Sequence, residues 1–180
     1  MSELTNAYGS SADQNAAYVS SLLALLGDRD PLAVLAELPQ ALDELCRGLS
    51  PAQLRRPERE GKWSIIQVAA HLADSEIVLG FRYRLIIAQS GSKILGYDQD
   101  AWARELHYDQ ADFDEARAQI GVLRAANVRL LRSAHGDQLE RYAQHDERGR
   151  ETLGRMIKMT GGHDLLHRRQ IARIRTAIEA

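Results

Sequence analysis

This sequence of 180 residues predicts an all-α bundle of long helices, and three observations carry that prediction. Several stretches place apolar residues at the three-and-four spacing of one helical face. Capping residues mark the helix starts. One seam, Phe113, Ala116, Ile120, Leu123, Asn127, Leu130 and Ala134, steps in threes and fours, as helices packed at a shallow angle do. The length suits one compact domain, expected over residues 15–180 behind a flexible N-terminal segment, 1–14.

Taken in order, Tyr18, Val19, Leu22, Leu23, Leu25 and Leu26 form the first apolar face, which stops at the turn residues Gly27-Asp28-Arg29-Asp30. Asp30 before Pro31 restarts a helix, because the carboxylate can cap free amides and proline is tolerated in the first turn. Leu32, Leu35, Leu38, Leu42 and Leu45 continue it; Pro39 inside that pattern is expected to kink or split it. Gly48 closes the segment, and Pro51, Pro57 and Gly61 mark a long connection in which Ser50-Pro51 can start one short turn. Ser64-Ile65-Ile66-Gln67 is a capping box that opens a long helix to about Gln89.

Residues Gly91 to Ala111 form a connection with Tyr97, Trp102, Tyr108 and His107, long enough to hold a short helix at Asp98 to Trp102 or to cover a site. Asp112 with Glu115 caps the seam helix, and Gly136-Asp137 ends it. Arg141 to Arg150 reads as an irregular approach to a last helix, capped by Thr152 and running to about Ile178.

Hydrophobic residues at 44% and charged residues at 27% are an ordinary globular mixture. A net charge of -2 without a basic block gives no footprint for nucleic acid, so a small-molecule or protein partner is expected. The single cysteine, Cys46, cannot close an intramolecular disulfide, which favours a reducing compartment. The N-terminal residues lack the basic start and apolar run of a signal peptide, and no apolar stretch approaches a membrane span. The chain therefore reads as cytoplasmic, with no membrane partner.

Chemistry concentrates near the C-terminus. His163 and His167, four apart on a helix, present two imidazoles to one point in space, a metal-ligand spacing. Leu153, Met156, Ile157, Thr160, His167, Ile171, Ile174 and Ile178 form the buried stripe of that helix, with His163 at its edge, so the pair points inward. A metal site and a core polar network both satisfy that placement. Gly161 and Gly162 weaken the helix by about 1 kcal/mol each relative to alanine, which suggests a close approach by another helix or a ligand. His71 lies in the apolar run Ile65 to Ala73 and must have a partner, either a carbonyl, a carboxylate or a metal ion.

Gly61-Lys62-Trp63-Ser64 through His71 to Glu76, and Gly162-His163-Asp164-Leu165-Leu166-His167-Arg168-Arg169-Gln170-Ile171, resemble the two signature segments of the DinB/YfiT-like superfamily. His145-Asp146-Glu147-Arg148-Gly149 with Thr152-Leu153 is similar to the approach before the second of them. The resemblance covers roughly Asp30 to Ile178. It implies a four-helix bundle, with extra short helices here in the N-terminal part and in the 91–111 connection. It also implies that His71, His163 and His167 bind a divalent ion, and that the chain acts as a metal-dependent hydrolase or a transferase of a low-molecular-weight thiol.

Three imidazoles leave a coordination position open, as in a catalytic ion rather than a closed structural one. Zinc or nickel is the expected ion, with iron a further choice. Glu76 and His145 are candidate acid/base groups, and Asp74, Asn127 and Asp164 candidates to orient a ligand imidazole. The alternatives are a buried packing bond for Asn127 and solvated helix charges for Asp74 and Asp164. A small-molecule substrate and a homodimer are expected. A second function class also fits: a non-catalytic metal-binding bundle serving dimerisation or small-ligand binding.

Overall fold

The computed structural model describes residues 9–179. The helix starts follow from local chemistry. Ser11 accepts a hydrogen bond from the Gln14 amide, and the Gln14 side chain accepts one from the Ser11 amide, so α1 (Ala12–Leu26) begins inside the segment expected to be flexible. The part of that segment over 1–8 lies outside the described residues. Asp30 caps α2 (Pro31–Cys46) through the Leu32 amide, and Ser50-Pro51 opens the single turn α3 (Pro51–Leu54). The Gln67 side chain accepts the Ser64 amide at 2.9 Å to start α4 (Ile65–Ala88).

After α4 come the two-residue strand β1 (Lys93–Ile94), the short helix α5 (Gln99–Glu105) and α6 (Phe113–Ser133), whose first turn Asp112 caps. Arg141 to Arg150 is not irregular. It holds β2 (Tyr142–His145) and β3 (Gly149–Thr152), an antiparallel hairpin whose first strand also pairs in parallel with β1. α7 (Leu153–Glu179) closes the chain.

The bundle is formed by α2, α4, α6 and α7: α2 packs against α6 and α7, and so does α4, while α1 lies on α7. That last contact explains Gly162. A Cβ there would stand 2.1 Å from the Leu22 carbonyl oxygen, so the close approach expected from the two glycines is made by the backbone of α1.

Pro39 does not split the second helix, which runs unbroken through it. Proline removes the N–H that would meet the Leu35 carbonyl. The buried Arg124 guanidinium of α6 donates to that carbonyl instead, at 3.2 Å.

The core has two apolar halves. One contains Leu38, Leu42, Ile65, Leu72, Ile120 and Ile171; the other contains Leu35, Tyr83, Ile86, Leu131, Leu153 and Met156. Along α4, α6 and α7, buried polar residues lie between these halves, giving a layer of Glu76, Arg124, Asn127, Thr160 and Asp164. The candidate site is built beside this layer. Among the described residues, no helix is long and apolar enough to cross a membrane.

Candidate metal centre

α4 and α7 are neighbours in the bundle, and each turns histidine into their contact. The Nε2 atoms converge: His71 to His163 at 3.3 Å and His163 to His167 at 3.0 Å. All three ligand atoms lie within 4.8 Å of one another. Burial holds all three imidazoles below the usual histidine pKa, His167 at about 4, so they are neutral at neutral pH, the state a ligand requires.

The donor set fits a cation. Gln170 Oε1 lies 2.8 Å from His167 Nδ1, which places the ring hydrogen on Nδ1 and a lone pair on Nε2. A neutral imidazole has one N–H, so His163 can satisfy at most one of its two neighbours, and a lone pair is left unmet. One ion meets all three. Nitrogen ligands held about 2.0–2.1 Å from a tetrahedral zinc stand about 3.3–3.4 Å apart, close to the spacings here. Among the described residues, His71 Nδ1 is buried without a hydrogen-bond partner, and the Trp63 ring packs 5.2 Å from that imidazole, fixing it by contact instead.

The remaining sequence candidates divide. Asp74 accepts from the Tyr108 hydroxyl at 2.7 Å, which draws the 91–111 connection onto α4 beside Trp63. Asp164 receives both terminal nitrogens of Arg124, at 2.5 and 3.1 Å. Glu76 takes Arg124 on one oxygen, at 2.9 Å, and Asn127 on the other, at 3.0 Å. The Asn127 carbonyl oxygen accepts from Arg84 at 2.8 Å. These four residues thus bond to one another, to arginines and to a tyrosine rather than to an imidazole, and Glu76 sits in the buried layer, not in the cleft described below.

Two contributors escape the sequence reading. Gln170 orients His167, and its position three residues on in the helix could have flagged it. Arg124 ties α6 to α2, α4 and α7; the signals were a carbonyl orphaned by Pro39 and an arginine three residues before the polar seam residue Asn127.

A cleft of about 110 Å³ opens onto His71 and His163. Leu22, Val78, Leu79, Met156 and Met159 supply its apolar wall, and Gly96, Tyr97 and Gln99 of the 91–111 connection line it, as expected of a connection that covers a site. His145, from β2, lines it too. Asp146 Oδ1 lies 3.0 Å from His145 Nδ1 and also accepts the Glu147 amide at 2.9 Å. That amide also donates to His145 Nδ1, at 3.1 Å. Among the described residues, His145 Nε2 is buried with no hydrogen-bond partner. Burial pushes this imidazole down to about 4.

Comparison with known proteins places these features in a lineage. The DinB superfamily model matches residues 35–171. Proteins of Bacillus cereus (strain 03BB102) and Bacillus thuringiensis subsp. konkukian (strain 97-27), whose names propose metal-dependent hydrolases, are each 28% identical over 141 residues, covering 78% of this chain and 81% of theirs. The solved structure of YfiT from Bacillus subtilis, described as a probable metal-dependent hydrolase with an unusual four-helix bundle topology, superposes with a TM-score of 0.74 at 25% identity, over 98% of this chain and 93% of YfiT.

Proposed function

This chain belongs to the DinB superfamily, and on that premise we propose that it is a metal-dependent hydrolase of a small molecule, with His71, His163 and His167 as the ligands of a divalent ion. The observation that carries the reading is the convergence of three neutral Nε2 atoms at 3.0 and 3.3 Å, two of whose imidazoles, His71 and His163, line a cleft. The names of the relatives support the same reaction class.

When bound, a divalent ion supplies a Lewis acid that polarises a carbonyl or water oxygen. The chain supplies the rest. Gln170 holds the His167 hydrogen on Nδ1 and so keeps Nε2 directed at the shared point. The apolar wall of Leu22, Val78, Leu79, Met156 and Met159 excludes water from one side of the substrate. His145, which lines the same cleft beside Asp146, accepts the proton that an attacking water gives up. A pKa of about 4 makes it a weak base that is free of a proton at neutral pH.

The test is elemental analysis of protein purified without an affinity tag, beside His71→Ala and His163→Ala, followed by a panel of esters and amides. About one divalent ion per chain in the parent, little in the variants, and metal-dependent hydrolysis is the expected result. Absence of an ion, with no uptake from added zinc, nickel or iron, would reduce the three histidines to a polar network. A rate that requires an added thiol and yields a thioether would reassign the site to thiol transfer.

A further inference from the structure

Along α4 the residues His71, Ser75, Val78, Leu79 and Arg82 follow one another at helical spacing, and all five line the cleft. One helix face therefore carries an imidazole at one end, an apolar middle and a guanidinium at the other end. At 1.5 Å per residue the two end positions lie about 16 Å apart along the axis, and a long helical side chain leans back toward the N-terminus, toward the histidines.

Arg82 is only 8% exposed. Its hydrogen bond runs from Nη2 to the Leu95 carbonyl, and among the described residues no carboxylate oxygen lies within ion-pair distance of it. The acidic groups around it make their direct bonds elsewhere. Glu151, 1% exposed, is held by both Nε and Nη2 of Arg148, at 2.7 and 3.1 Å. Asp146 Oδ1 accepts the Gly96 and Glu147 amides and lies beside His145. Glu147, at the half-buried rim, accepts the Gly9 amide at 2.8 Å. Arg148 and Glu151 pair with each other, so among the described residues Arg82 has no directly bonded counter-ion, and Glu151 and Asp146 act on its charge only from a distance. Burial and the nearby Arg148 act against that charge, Tyr97, Glu151 and Asp146 in its favour, and a buried guanidinium normally takes a directly bonded anion.

We infer that Arg82 is the anion-binding group of this cleft and that the substrate is an amphiphilic carboxylate: its carboxylate pairs with Arg82, its apolar segment lies on Val78, Leu79 and Met156, and its reacting bond reaches the histidines. A guanidinium fork recognises a carboxylate by paired, charge-assisted hydrogen bonds. The inference rests on the hydrolase reading for the last of these three contacts, but the pairing at Arg82 does not need it.

The probe is 4-phenylbutyrate against its neutral amide, 4-phenylbutanamide, titrated calorimetrically into the full chain as purified and again after chelation. The parent is expected to prefer the carboxylate by about tenfold or more in both states. Arg82→Gln should abolish the preference while leaving the amide's affinity in place, and Arg82→Lys should keep part of it; circular dichroism checks that each variant folds. Equal binding of acid and amide, binding of neither, or a preference untouched by Arg82→Gln overturns the assignment. A preference that vanishes on chelation and ignores Arg82 would put the carboxylate on the ion, which overturns this inference and leaves the metal reading standing. Loss of metal binding with the Arg82-dependent preference intact would do the reverse.

Discussion

Arg124 is a single residue of α6 that reaches three other helices, and its removal tests how the polar layer is held. In Arg124→Met the buried Glu76 and Asp164 carboxylates lose their counter-charge and the Leu35 carbonyl its donor. Breaking a buried pair by deleting one partner costs about 3–5 kcal/mol, and urea unfolding should show a loss of that size. The Pro39 connection makes the prediction sharper. Pro39→Ala restores a helical N–H for Leu35, so Arg124→Met should be about 1 kcal/mol less costly in that background; strict additivity would mean the guanidinium does not serve that carbonyl. His145 gives a second test. Its folded pKa of about 4 lies below the ordinary 6.5, so the unfolded chain binds the proton first. Its stabilising contribution is complete above pH 6.5 and is lost as pH falls toward 4, on the order of 3 kcal/mol. The stability of His145→Gln should therefore fall less steeply than that of the parent across this window, and parallel curves would contradict the assigned burial.

At the scale of elements, the contact of α1 with α7 depends on Gly162. In Gly162→Ala the new methyl would meet the Leu22 carbonyl, a backbone group that cannot rotate away, so α1 must move. A loss of about 1–3 kcal/mol is expected, with Gly161→Ala milder because its nearest neighbour, at 3.1 Å, is a flexible leucine methyl. Equal losses in thermal unfolding would mean that helix propensity alone, and not the contact, sets the cost. The same contact shows what was legible in the sequence. Helix spacing and caps gave the long helices, because Asp30, Ser64 and Asp112 act within a few residues of themselves. The histidine pair was legible because i and i+4 always share a face. Strands of two to four residues leave no periodicity to read, and β1 pairs with β2 across some fifty positions of sequence, so the small sheet was invisible. The same holds for Arg82 and Arg124, whose partners come from other elements.

For the whole molecule, the polar layer separates two apolar halves of one bundle, and the three histidines join α4 to α7 beside that layer. Each half is closed by its own leucines and isoleucines, while the layer depends on charges that must stay paired. An ion held by one ligand from α4 and two from α7 would cross-link the two helices beside the polar layer. Anything that binds the folded state alone stabilises it by RT ln(1 + [L]/Kd), about 2.7 kcal/mol at a hundredfold excess over Kd. For a domain of this size each kcal/mol moves Tm by roughly 2–4 °C, so saturation should raise Tm by roughly 5–11 °C. The check is a series of thermal unfolding curves of chelated protein at rising free zinc. Tm should climb with the logarithm of zinc in the parent and stay level in His71→Ala and His163→Ala. The order of response also matters: hydrogen exchange at His71 to Glu76 and at Thr160 to His167 should slow first, because a local clamp protects the segments it joins before it protects the frayed ends. A uniform slowing across all helices would instead mean that this bundle opens only as a whole, with the two halves inseparable despite the layer between them.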